Sequence, residues 1–96
     1  MNIWTFDFET QKIDNSQPGS PAPVGYALKK NDEPSVYYAW DHPTENNTTA
    51  EEAYEILKNS FISDTDSFVV MHNAKFDLEV LSQHMGLEPQ EHQVQV

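Results

Sequence analysis

Apolar and polar residues alternate from the start of the chain. Trp4, Phe6 and Phe8 fall on one side of an extended segment, and Ile3, Thr5, Asp7 and Glu9 on the other. Residues 3–9 therefore read as a strand with an aromatic packing face. The stretch "QKIDNSQPGSPA" (11–22) concentrates Pro, Gly, Ser and Asn and reads as a loop. "PVGYALKK" (23–30) and "SVYYAWD" (35–41) are strand-like and are separated by the turn-forming "NDEP". Short links predict an antiparallel meander of these three strands, with 11–22 as an elaborated first turn.

The periodicity changes after the polar linker "HPTENNTT". Thr49 with Glu52 three residues on has the form of a capping box. Ala53, Ile56, Leu57 and Phe61 then recur at helical spacing, which predicts an amphipathic helix over 50–61. "FVVM" (68–71) is a short continuous apolar run, as in a buried strand, and is expected to lie parallel to the first strand. Leu78, Leu81 and Met85 form the stripe of a second helix over 74–85, with Asn73 placed to cap its start and Gly86 its end. "HQVQV" alternates again and begins a fifth strand. The order β-β-β-α-β-α-(β) predicts an α/β fold, a mixed sheet with helices packed on it.

Composition narrows the picture. At 96 residues and 38% hydrophobic content, the chain suffices for one small domain. It has no cysteine, which excludes disulfides and thiolate metal sites and suits a reducing, intracellular setting. No apolar run approaches a membrane span and no signal-peptide pattern is present, so the expectation is a cytoplasmic protein without a membrane partner. The formal net charge is −11, and every basic residue is a lysine. Such a surface repels phosphate backbones, which counts against nucleic-acid binding by charge alone. It leaves open an enzyme that reaches phosphates through bound cations.

Two groups of residues carry candidate chemistry. Asp7 and Glu9 lie two apart on a strand and leave the same face. Carboxylates this close repel each other unless a cation sits between them, and an all-oxygen ligand set suits Mg²⁺ or Mn²⁺. Their place among three aromatics on a central strand, with few lysines and no arginine to pair with, distinguishes them from Asp64 and Asp66. That second pair lies beside Ser63 and Thr65 in a stretch that reads as a turn. The other group is "HNAKFDLEVL" (72–81), at a strand-to-helix junction. Asn73 and Asp77 are four apart and are expected to share a helix face, with Phe76 and Val80 flanking the acid. The plainer reading of Asp77 is an acid favoured by the first-turn dipole. His42, His84 and His92 read as surface or partly packed histidines, and His72 as strand-end packing.

Taken in order, "FDFET" (6–10) and "HNAKFD" (72–77) resemble the first two motifs of the 3′–5′ exonuclease superfamily known by its four acids as DEDD. The form "HNAKFD" is most similar to the proofreading domains of bacterial and phage DNA polymerases of the polymerase I type (family A). The resemblance covers nearly the whole chain, because the element order is also similar to the start of that family's ribonuclease H-like fold. It implies catalytic and metal-binding roles for Asp7, Glu9 and Asp77 with two divalent ions, Mg²⁺ or Mn²⁺. Asp7 would bridge the ions, Glu9 would ligate the ion that activates the attacking water, and Asp77 would hold the second ion through water. Thr10 would touch the terminal nucleotide through its backbone, and Phe8 would pack near the terminal base or in the core. Asn73 would contact the substrate strand near its 3′ end, with Phe76 wedged or packed beside it. The implied partner is a single-stranded 3′ end of DNA.

The family also has a third motif, in which a Tyr or His precedes a fourth Asp. "EHQVQV" contains no such Asp. The expectation is therefore that residues 1–96 form the N-terminal part of an exonuclease domain from a bacterial or phage-infected cell. Such a part would be inactive or very weak alone, with the remaining polymerase segment or another chain covering the unfinished sheet edge. The alternatives are a free-standing exonuclease on RNA or oligonucleotides, and a catalytically dead ribonuclease H-like binding or assembly module.

Overall fold

The computed structural model describes residues 1–11 and 19–95. Most of the expected 11–22 loop, together with Val96, lies outside the described residues. The aromatic alternation produces β1 (Ile3–Thr10), the central strand of a five-stranded sheet. The sheet is ordered β3-β2-β1-β4-β5, with β2 (Pro23–Lys30), β3 (Val36–Ala39), β4 (Phe68–Val70) and β5 (Val94–Gln95). As the connection lengths predict, β1, β2 and β3 are antiparallel, while β4 runs parallel to β1 and β5 parallel to β4. The third strand is shorter than expected, because the N–H groups of Trp40 and Asp41 both turn back to the carbonyl of Val24.

Two helices cover one face of the sheet. Helix α1 (Ala50–Leu57) begins where Thr49 accepts the Glu52 N–H at 3.2 Å. Only this half of the capping box forms, since the Glu52 carboxylate accepts from the Thr48 hydroxyl at 3.3 Å. Helix α2 (Ala74–Val80) ends a turn before Gly86, whose φ of 63° suits a residue without Cβ. Both helices stop short of the expected lengths: each passes into a wider turn, Lys58–Ile62 and Leu81–Met85 respectively. The core lies between sheet and helices. Trp4, Phe6, Phe8, Tyr26, Leu28 and Val69 meet Ala53, Leu57, Phe61, Val80 and Leu81 there. Phe6 is its centre, with ring centroids 4.7 Å from Phe8 and 5.4 Å from both Tyr26 and Phe61. Among the described residues no helix is long and apolar enough to cross a membrane.

A buried polar staple fastens the far edge. Gln93 is fully buried, and its amide nitrogen reaches the carbonyls of Phe61 and Asp64, both at 3.0 Å, and the Ser67 hydroxyl. Its side-chain oxygen accepts the Gln90 N–H at 2.8 Å. One side chain thus ties the approach to β5 to the turn that precedes β4.

Candidate metal centre

Backbone alternation brings the two sequence groups together. Ile3 uses both its N–H and its C=O on the β2 side, toward Asn31. Every second residue of a strand points its polar groups to the same side, so Phe8, of opposite parity, points toward β4. The β1–β4 pairing ends at Thr5 and Val70, leaving the Phe8 N–H without a strand partner. Helix α2 enters at that gap, and Asp77 Oδ1 accepts the Phe8 N–H at 3.2 Å. Phe8 is the residue between Asp7 and Glu9, so the acid of the helix is bonded directly to the strand that carries the other two.

Asp77 is 1% exposed. Oδ1 has the Phe8 bond, whereas Oδ2 is buried with no hydrogen-bond partner. Burial pushes its carboxyl up to about 6, the charge of Asp7 adds to this, and the Phe8 N–H opposes it.

Asp7 and Glu9 sit differently from the expectation. Both are exposed, on the sheet face opposite the helices. The neighbouring aromatics do not enclose them, because the pleat sends Trp4, Phe6 and Phe8 into the core. Glu9 has partners instead. Tyr37 of β3 donates its hydroxyl to Oε2, and His42 Nε2 lies 3.3 Å from Oε1. The Thr44 N–H donates to His42 Nδ1 at 3.2 Å, which makes Nδ1 an acceptor and leaves the ring proton on Nε2, facing Glu9. Burial, then the bond to Glu9 and its charge, raise the Tyr37 phenol to about 12 and keep it protonated.

The other residues singled out in the sequence fall around this strand. Thr10 is half-buried at the end of β1, after a register irregularity between Glu9 and Thr10. The Phe8 ring packs in the core, and Phe76 is half-buried against it. Asn73 is exposed and makes no side-chain cap. Its backbone (φ −127°, ψ 70°) is not helical, so the four-residue rule does not place it beside Asp77. His72 is also exposed rather than packed, because Met71 takes the inward position after β4. His84 and His92 contact the carbonyls of Ser20 and Thr65, away from the acids. Asp64 accepts from Asn2 and from the Trp4 indole, which hold its carboxyl below the usual range, so that residue has a structural role.

Tyr37 and His42 are contacts that sequence reading missed. Tyr37 had a usable signal: it shares the parity of Ala39, which pairs with Gly25 and so stands in line with Glu9. His42, in a loop, had none. Among the described residues, no three His, Asp or Glu side chains gather closely enough to form a metal-binding group. No protein-family model matches the chain, and no curated protein matches it.

Proposed function

We propose that this chain supplies the first two motifs of a metal-dependent 3′–5′ exonuclease site in a ribonuclease H-like fold, of the proofreading kind that trims single-stranded DNA ends. The observation that carries the reading is the bond from the Phe8 N–H to a buried Asp77 whose second oxygen has no partner. It ties two stretches 69 residues apart into one locus. The orphan Oδ2 fits a cation ligand, directly or through water. Asp7 and Glu9, accessible on the open face of the same strand, would complete the protein's share of the ligands.

Divalent ions bound there would supply charge for a phosphodiester and acidify the attacking water. The chain's own residues do the rest. Asp77, with its carboxyl at about 6, is largely ionised at neutral pH and ready to accept a cation. The Phe8 N–H orients it. Tyr37 and His42 orient Glu9. With a net charge of −11, the surface disfavours a phosphate strand everywhere except where cations gather.

A second reading, a catalytically dead ribonuclease H-like binding or assembly module, is favoured by the lack of a three-ligand group among the described residues. One equilibrium experiment separates the two. Deoxynucleoside monophosphate, the product of 3′ trimming, is titrated into the chain with Mn²⁺ and with EDTA. Exonuclease ancestry with a working site predicts Mn²⁺-dependent binding that Asp7→Ala abolishes. Absence of binding, or binding that survives Asp7→Ala, contradicts it. A ribonucleoside monophosphate arm tests the RNA alternative.

A further inference from the structure

We propose that Asn47 guards the edge of the sheet: it occupies the free side of β3 in place of a strand, and so keeps residues 35–40 from pairing with a second copy of the chain. The proposal stands independently of the cation reading above. β3 is an edge strand, at the end of the sheet opposite β5. The Trp40 N–H reaches the Val24 carbonyl on the β2 side, and strand alternation points the polar groups of Tyr38 and Val36 the same way. The N–H and C=O groups of Tyr37 and Ala39 therefore face outward, where a further strand would dock. Asn47 meets them there. Its Nδ2 donates to the Tyr37 carbonyl at 2.8 Å, its Oδ1 accepts the Ala39 N–H at 2.8 Å, and its own N–H donates to the Ala39 carbonyl at 3.0 Å. One residue thus reproduces the donor and acceptor pattern of a neighbouring strand.

The edge needs such a guard. "SVYYAW" (35–40) carries no charge, proline or glycine, in a chain of net charge −11. A short, uncharged segment of strand-forming residues pairs readily with identical copies of itself. Val36 and Tyr37 are both exposed, at 45% and 40%. The Tyr37 phenol gives the edge no cover, because it leans inward over Gly25 to reach Glu9. A Cβ on Gly25 would come within 2.6 Å of that hydroxyl. The charged side chains and prolines that usually protect an edge strand are absent from β3. A second copy is the partner that fits, since each chain would offer the same uncharged segment and the same free backbone groups.

The loop delivers Asn47 in a fixed position. Asn46 brackets His42, accepting its N–H at 2.8 Å and donating to its carbonyl at 3.1 Å. Thr44 donates its N–H to the His42 ring at 3.2 Å. On the other side, the Thr48 N–H joins Asn47 at the Ala39 carbonyl, at 3.2 Å, and the Thr48 hydroxyl reaches Glu52 of α1. The turn before Asn47 and the helix start after it therefore hold the residue against β3, and little further ordering is needed to keep it there.

Sedimentation velocity over a wide range of concentration tests the proposal, on the full chain as wild type, Asn47→Ala, Val36→Lys and the two changes combined. Wild type and Val36→Lys should sediment as monomers throughout. Asn47→Ala should shift to dimers and larger species as concentration rises. The combined variant should return to monomer, because the lysine sets a charge beside the edge that a second copy would have to approach. Amide exchange supplies the second readout. In dilute Asn47→Ala the Ala39 amide should exchange roughly fivefold faster than in wild type, the effect of losing one ordinary hydrogen bond, with β1–β2 amides unchanged. In the assembled form the Tyr37 and Ala39 amides should both become protected.

An Asn47→Ala chain that stays monomeric overturns the proposal, as does assembly that persists with Val36→Lys. Loss of β1–β2 amide protection in dilute Asn47→Ala also overturns it, since Asn47 would then be holding the fold rather than guarding its edge. A wild-type chain that already self-associates with its Tyr37 amide protected contradicts it as well.

Discussion

Asp77→Asn changes one buried atom and should make the metal-free protein more stable at neutral pH than at acid pH, relative to wild type. The carboxyl is raised from 3.8 to about 6 in the folded state. At about 1.36 kcal/mol per pH unit, that is a contribution of about 3 kcal/mol. The folded chain holds this proton more tightly than the unfolded chain does. The contribution is therefore complete below 3.8 and is lost as pH rises through about 6. Asparagine keeps an oxygen for the Phe8 N–H and never ionises. Its amide N–H at the orphan position costs about 1–3 kcal/mol, but equally at all pH values. Urea denaturation of both proteins in EDTA at pH 4.5 and 7.5 isolates the proton. Between those pH values the stability difference should move by about 2 kcal/mol in favour of asparagine. Carboxylates other than Asp7, whose charge acts on Asp77, titrate alike in both proteins and cancel. A difference that does not change with pH would refute the burial of Asp77 as an uncompensated acid. Saturating Mn²⁺ at pH 7.5 should reverse the ranking, stabilising wild type by about 2.7 kcal/mol at a hundredfold excess over its dissociation constant and leaving the asparagine variant unchanged.

Three further outcomes test the scaffold. Phe61→Ala removes a fully buried ring from beside Phe6 and should cost about 3–5 kcal/mol in urea denaturation. Gln93→Ala removes a donor from the carbonyls of Phe61 and Asp64, the latter keeping the Ser67 hydroxyl, and should cost about 1–3 kcal/mol, with faster amide exchange at Met71, whose N–H bonds Gln95 across β4 and β5. Thr49→Ala removes the one side-chain cap of α1 and should cost about 1 kcal/mol, with Thr49→Ser restoring most of it.

The fold was legible because its signals are local and repetitive. The alternation through Trp4, Phe6 and Phe8 fixes which face of β1 is buried, and the short links around "NDEP" leave antiparallel pairing as the simple connection. The continuous apolar run at 68–71 marks a strand covered on both flanks, and Gly86 marks a helix end. What escaped was less regular. Wider turns end both helices early, and periodicity alone does not distinguish them from α-helix. Asn73 looks like a cap, yet its backbone leaves the geometry in which a cap works. Gln93 carries no apolar signal although it is fully buried, because its value lies in four polar partners, one in its own turn and three in the stretch that precedes β4.

The candidate site divides in the same way. Asp7 and Glu9 were visible as a same-face pair, and Asp77 as an acid among apolar neighbours. That Asp77 reaches the backbone between the other two follows from β4 ending at Val70, a boundary that sequence places only approximately. The link from Glu9 to Tyr37 depends on Gly25 opposite, and the link to His42 on the path of a polar loop. Strand parity points Tyr37 toward this side, but the path of the loop that brings His42 is not written in spacing along the chain.

The central claim is that Asp7, Glu9 and Asp77 share one cation locus, and paramagnetic line broadening tests it most directly. Sub-stoichiometric Mn²⁺ added to isotope-labelled protein broadens the amide signals nearest the bound ion. The account predicts that signals of residues 6–10 and 73–78 broaden first, and that Asp77→Asn removes the effect. With a net charge of −11, a surface without a site would also attract Mn²⁺, but diffusely. Broadening that begins at Glu51 and Glu52, or spreads evenly over the acidic surface while residues 6–10 stay sharp, would contradict the account.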